Sequence, residues 1–225
     1  MARVTIVSEI GSTHLGREAL VKEAIERSME ADADVVKFQL FPNEERFTKS
    51  GNIWMSQDLF LYALQYGREI GMKVTASAFD DESVDFLIGC DVPFVKFAYS
   101  QKENAVGIRK VINQGMDAVV SCDHLTFNKV SDHALKLLCI PQYPVYFDVR
   151  FESVFPQFYG YSDHSLGIDT PVKAVVHGAR MIEKHVRVAP KGCPDCDFAL
   201  TFQEFGQMVK EIRRWEREPL LGNIH

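Results

Sequence analysis

Short runs of Val, Ile and Phe recur along the chain and alternate with longer segments in which apolar residues return every three or four positions. Runs of the first kind read as buried strands and segments of the second kind as amphipathic helices, so the pattern predicts βαβ units and a parallel sheet. Eight strands are expected, near residues 4–8, 35–39, 73–77, 94–97, 118–121, 138–140, 158–162 and 181–185. Leu20, Val21, Ala24, Ile25, Ser28 and Met29 form one helical stripe, and Phe202, Phe205, Met208, Val209, Ile212 and Trp215 form another. Thr201 and Glu204 have capping-box spacing, and Pro171 follows Asp169 and Thr170 as an early-helix proline does. The sixth helix, in "DVRFESVFPQF", is expected to be short and irregular. Eight repeats of strand then helix predict an α/β fold of the closed (β/α)8 TIM-barrel type rather than an open doubly wound sheet, as a single domain over residues 1–225.

Composition narrows the partners. A chain of 225 residues, 46% hydrophobic and 25% charged, suffices for one large core. The formal charge of -6, from 25 basic and 31 acidic residues with no basic run, argues against a nucleic-acid or anionic membrane surface and for a small-molecule partner. No apolar run approaches the roughly 18 residues of a membrane span, and "MARVTIVSEIGS" lacks the regions of a secretory signal, so a cytoplasmic location is expected. Five scattered cysteines predict reduced thiols rather than a disulfide framework. Only Cys193 and Cys196 form a CxxC pair, with neither the second ligand pair of a zinc knuckle nor the fold context of a redox motif.

In a parallel barrel the chemistry lies at the C-terminal strand ends. Glu9, Lys37 with Gln39, Phe79-Asp80, Lys96, Ser121, Tyr143, Ser162 with His164, and Glu183 with His185 all fall there. Residues two apart share a strand face, so Lys37 and Gln39, Ser162 and His164, and Glu183 and His185 are expected to project into one mouth. Asp163 and Lys184 then face the helix layer, paired with each other or with helix termini. Two histidines on adjacent strands can converge on one divalent ion, Mn or Mg where oxygen ligands complete the shell; ordinary hydrogen bonds are the alternative. Lys37 and Lys96, with Ser121 and Ser162, suit a phosphate or carboxylate, although either lysine could reach solvent or form a Schiff base. Asp195, in the loop after the eighth strand, is a candidate acid or base.

Together the blocks "SEIGSTHLG", "ADVVKFQ", "SAFDDESVDFL", "VPFVKFA", "YSDHSLGI" and "IEKHV...CPDCDFAL" resemble the sialic acid synthase family, N-acetylneuraminate synthase and its relatives, in order from Ser8 to Leu200. The resemblance implies a barrel that condenses phosphoenolpyruvate with an N-acetylated aldose, giving a 2-keto sugar acid and phosphate. It implies metal ligands at His164 and His185, an essential carboxylate at Glu9, and a phosphoenolpyruvate grip at Lys37, Lys96, Ser121 and Ser162. Gln39 completes the KxQ element, Tyr143 lies on the substrate side, and Glu183 and Asp195 stand near metal and acceptor. A divalent metal is implied, but no organic cofactor. Among the positions that depart from the family pattern are Tyr99 where a small serine is usual, Gln101 for an acid, Asp123 for a glycine, and Pro141 for a side-chain hydrogen-bonder, with further changes in Thr13–Gly16 and Cys193–Cys196. The resemblance also implies a C-terminal antifreeze-like domain that these residues do not match, so the expected partners are a second copy of the barrel in a homodimer, or a separate chain that supplies the missing domain. Two alternatives stay open: a non-catalytic sugar-acid-binding or regulatory barrel, and a Schiff-base aldolase using Lys37 or Lys96.

Overall fold

Eight parallel strands close into a barrel in the computed structural model, which describes residues 3–40, 55–189, 193 and 195–217. They are β1 (Thr5–Glu9), β2 (Val35–Leu40), β3 (Lys73–Ala78), β4 (Val95–Phe97), β5 (Ala118–Cys122), β6 (Leu135–Cys139), β7 (Gly160–Asp163) and β8 (Met181–His185), and β8 pairs back onto β1. The expected strands are all present, with β6 starting three residues earlier than its apolar run. Lys136 hid that start: its stem packs in the helix layer while its ammonium reaches the Phe127 carbonyl at 3.0 Å and Asp132 at 3.1 Å.

Six α-helices are described: α1 (Glu18–Glu30), α2 (Gln57–Ile70), α3 (Asp81–Gly89), α4 (Ala105–Asn113), α5 (Asp169–Val176) and α6 (Phe202–Arg217). Local chemistry starts several of them. Ser56 accepts the Leu59 N–H to cap α2, Asp80 and Ser83 form a capping box on α3, and Asn104 caps α4. The predicted box on α6 forms, with Glu204 accepting the Thr201 N–H at 2.8 Å and Thr201 accepting the Glu204 N–H at 3.2 Å. Two stripe positions differ from expectation: Met29 is 48% exposed and Trp215 only half-buried. Arg213 is buried on α6 instead, because Asp32, Asp34 and Glu216 all meet its guanidinium.

No α-helix is described between β5 and β6, where one 3-10 turn (Phe127–Lys129) stands, or between β6 and β7. The irregular sixth helix is therefore absent, for a reason the sequence contains: Pro141, Pro144 and Pro156 remove the donors that a helical ladder needs. The segment covers the barrel with side chains instead, burying Val149, Phe151, Val154 and Phe158, with Phe151 edge-on to Tyr161 at 5.1 Å.

The core has two parts. A large cluster fills the space between strands and helices, and a smaller one of Val7, Val35, Phe94, Val119, Leu137 and Met181 floors the barrel interior. Gly160 belongs to that floor, since a Cβ there would lie 2.1 Å from the Met181 carbonyl oxygen and 2.9 Å from Leu137 Cδ2. Above the floor the inward positions turn polar. No described helix is long and apolar enough to cross a membrane.

Candidate active site

Strand alternation brings polar side chains from all around the barrel to the C-terminal mouth. There they line a cleft of about 400 Å³ that includes Glu9, Lys37, Gln39, Lys96, Ser121, Tyr143, Ser162, His164, Glu183, His185 and Asp195. Register explains their common height: Glu9 stands opposite both Lys37 and His185, Ser77 opposite Gln39 and Lys96, and Ser162 opposite Glu183. Asp80 does not join them. It is held by the α3 capping box, although its neighbour Phe79 lines the cleft.

The two lysines do not reach for solvent, being 2% and 1% exposed. Lys37 forms an ion pair with Glu9, donates to Ser77 Oγ at 2.9 Å and stands 3.6 Å from Glu183. Lys96 donates to Ser121 Oγ at 2.7 Å and to the Phe97 carbonyl at 3.2 Å, with Glu183 at 3.5 Å. Gln39 donates to Glu9 at 2.7 Å and Ser162 to Glu183 at 2.8 Å. The result is a chain of alternating charge, Glu9 to Lys37 to Glu183 to Lys96, whose members separate in proton affinity. Burial pushes Glu9 up to about 7, against the pull of Lys37. Burial also opposes the charge on Glu183, but Lys37 and Lys96 outweigh it and hold that carboxyl at about 2. Burial disfavours both ammonium ions. For Lys37 the attraction of Glu183 and Glu9 wins and raises its pKa; for Lys96 burial wins and lowers it.

His164 and His185 face each other with ring centres 5.4 Å apart. Two imidazoles sharing one tetrahedral ion, about 2.1 Å from each nitrogen, have ring centres about 5 Å apart. Nδ1 of His164 lies 3.3 Å from the Ile140 carbonyl, which leaves Nε2 for a ligand. Nδ1 of His185 is buried without a hydrogen-bond partner. Burial holds His164 at about 4, and burial together with its imidazole neighbour pushes His185 well below its ordinary value. Both rings are therefore neutral at neutral pH, the form that binds metals. The pair fits a divalent ion on this chemistry, although no group of three or more His, Cys, Asp or Glu is placed to hold a metal ion among the described residues. Solvent and substrate would complete its shell.

Asp195 enters from the β8–α6 loop in a left-handed conformation, φ 66°. Its carboxylate occupies space that only a glycine at position 11 leaves open, because a Cβ on Gly11 would lie 2.6 Å from Asp195 Oδ2 and 3.6 Å from His185 Nδ1. The backbone N–H of Ser12 donates to it, while burial raises its pKa. Cys193 and Cys196 flank this residue and are joined in a disulfide, contrary to the expectation of reduced thiols. A CxxC turn brings its two Cβ atoms together whatever the cysteine count elsewhere; Cys90, Cys122 and Cys139 are free and buried.

Several site residues escaped the sequence reading. Ser77 supports Lys37, and the alternation of Thr75 and Ser77 in β3 was the available signal. Cys139 lines the cleft with its sulfur 3.9 Å from His164 Nδ1, and resembled one more core residue. Phe198 packs against His185, Tyr143 and His164 with ring centres 4.8, 5.6 and 6.0 Å away, from a loop without periodicity. Tyr143 leans against His164 with ring centres 4.1 Å apart and planes tilted by 44°, while remaining 54% exposed. The departures at Tyr99 and Asp123 prove to be one feature: Tyr99 Oη donates to Asp123 Oδ2 at 2.7 Å at the cleft rim. Asp123 also accepts from the Thr126 N–H and hydroxyl, and these bonds outweigh burial and lower its pKa. Gln101 lies in the 3-10 turn Tyr99–Gln101 and does not line the cleft.

Comparison with known proteins agrees with this architecture. An uncharacterized protein of Methanocaldococcus jannaschii is 30% identical over 97% of this chain and 72% of its own length. The N-acetylneuraminate-9-phosphate synthase of Mus musculus is 28% identical over 94% and 70%. The N-acetylneuraminic acid synthetase of Leptospira borgpetersenii, solved with citrate, superimposes with a TM-score of 0.88 at 24% identity, covering 99% of this chain and 87% of that one. At that identity the likeness speaks for the fold. The NeuB family profile matches residues 51–223, and with these relatives it establishes that the chain belongs to the NeuB family.

Proposed function

We propose that this barrel, over residues 1–225, condenses phosphoenolpyruvate with an N-acetylated aldose or related aldehyde to a 2-keto sugar acid and phosphate, with Mn or Mg held by His164 and His185. One observation carries the reading: two lysines, three carboxyl groups and two neutral histidines meet in one cleft at the C-terminal mouth of a NeuB-family barrel. The mouse relative, named for N-acetylneuraminate-9-phosphate synthesis, supports the substrate class.

Lys37 and Lys96 take the anionic ends of phosphoenolpyruvate, with hydroxyls from Ser121 and Ser162 beside them. Holding it against the acceptor turns a bimolecular encounter into a positioned one. When bound, the divalent ion supplies Lewis-acid polarisation to the aldehyde oxygen. C3 of phosphoenolpyruvate bonds to the aldehyde carbon, and Asp195, its proton affinity raised by burial, provides the proton for the new hydroxyl. Water adds at C2 and gives one proton to Glu9; the C2–O bond to phosphate then breaks as the C2 hydroxyl passes its remaining proton to the departing phosphate, leaving the ketone. A carboxyl poised at about 7 suits that exchange. Glu183, held ionised, anchors both ammonium ions throughout.

The test is release of inorganic phosphate from phosphoenolpyruvate in the presence of Mn or Mg and a panel of N-acetylated hexosamines and their phosphates. Release only when enol, sugar and metal are all present is the expected result; none with any sugar or metal refutes the function and leaves the fold intact. Depression of the Lys96 pKa by burial favours one rival, a Schiff-base aldolase, and narrows it to that lysine. A borohydride-trapped pyruvate adduct on Lys96 would establish it. The Tyr99–Asp123 bond at the rim favours another, a barrel that binds sugar acids without turnover, for which tight sugar-acid binding with no phosphate release would be the sign.

A further inference from the structure

We propose that Asp163 and Lys184 are positioning residues that set the spacing of His164 and His185 from the outer face of the barrel wall, an inference that rests on the metal reading above. Alternation places Asp163 between two inward residues, Ser162 and His164, and Lys184 between Glu183 and His185. The two stand directly opposite in the β7–β8 register. Both side chains are fully buried, with Lys184 Nζ 2.5 Å from Asp163 Oδ2 and 2.5 Å from the Ser165 carbonyl. Asp163 in turn accepts the Ser165 N–H at 2.9 Å and hydroxyl at 3.0 Å. The turn just after His164 is thus tied to the residue just before His185.

Burial energy does not account for such a pair. Two charges without water are generally no more stabilising than apolar residues of similar size, and the helix-facing positions one level below, Tyr161 and Ile182, are a ring and an alkyl group. The pair does supply direction and register. A salt bridge with three further bonds fixes the strand ends on both sides of the imidazoles, where displacements of a few tenths of an ångström decide whether two ring nitrogens share an ion. The segment between β6 and β7 adds a brace, with Val145 N–H donating to the His164 carbonyl at 3.0 Å.

The experiment titrates the full chain with Co(II), following visible absorption and heat, alongside thermal unfolding. The double variant Asp163→Leu/Lys184→Met leaves no unpaired buried charge. It is expected to unfold cooperatively, yet to bind Co(II) about 10- to 100-fold more weakly with a shifted absorption band. Asp163→Glu keeps the ion pair but lengthens it by one methylene; it too is expected to weaken Co(II), and it serves if the double variant fails to fold. Arg213→Met, which breaks a buried ion-pair cluster at the opposite end of the barrel, is expected to lower the melting temperature and leave Co(II) affinity and spectrum unchanged. A folded variant at Asp163 that binds Co(II) with unaltered affinity and spectrum overturns the positioning role alone. No Co(II) uptake by the unaltered chain overturns the metal reading and this inference together.

Discussion

Glu9 sits between a dry environment, which favours its neutral form, and the Lys37 ammonium aided by Gln39, which favour its ionised one; burial prevails and raises it to about 7. That poise is the property a proton-transferring carboxyl needs. Glu9→Gln preserves an oxygen acceptor for Gln39 and leaves Lys37 with Ser77 and Glu183, so the chain is expected to fold and to bind phosphoenolpyruvate no less tightly. Phosphate release is expected to fall by about 10²- to 10⁴-fold, measured as turnover against calorimetric affinity for phosphoenolpyruvate. Residues of this kind were legible because charge at a strand end is costly and therefore conspicuous. Ser77, Cys139 and Phe198 were not, since a small hydroxyl, a thiol and a ring are ordinary occupants of a protein interior. Tyr99 and Asp123 stood out singly, but nothing in a linear sequence says that a phenol and a carboxylate 24 positions apart will meet.

Among the elements, α3 shows how a local signal and a functional signal can share one residue. Asp80 follows a strand end, where catalytic groups gather, and also precedes a helix, where Asp is a preferred cap; its carboxylate accepts the Ser83 N–H at 2.9 Å and spends itself there. Asp80→Ala is expected to cost about 1 kcal/mol in urea unfolding. Phosphate release should stay unchanged, because the side chain does not line the cleft. The strands were readable from their apolar runs, except where Lys136 broke the run of β6. The segment between β6 and β7 was harder, because its apolar residues cover the barrel without a helix and therefore without a period.

Across the whole molecule, stability couples to pH through buried groups whose shifts oppose one another. His14, inside the β1–α1 loop, is held by burial at about 4, as is His164, and His185 is lowered as well. Their contribution is fully present above the ordinary histidine value near 6.5 and is lost as pH falls toward 4. Glu9 runs the other way: raised to about 7, its contribution is complete below the ordinary carboxyl value and is lost as pH rises through 7, so acidification restores it. Each group contributes about 1.4 kcal/mol per pH unit within its window, so the histidines outnumber the carboxyl. The metal-free chain is expected to lose about 1–3 kcal/mol per unit between pH 6.5 and 4.5 in urea titrations; stability that is flat or rising on acidification would contradict the neutral state of these rings. Closure of the barrel was legible only as a count of eight repeats, because no single segment of sequence encodes a ring. Gly160 makes that closure tight between β7 and β8, where one hydrogen admits the neighbouring carbonyl of Met181. A methyl group at this point would act as a wedge at the root of both strands, and the splay would be read out at their tips, as a changed bite between the two imidazoles above.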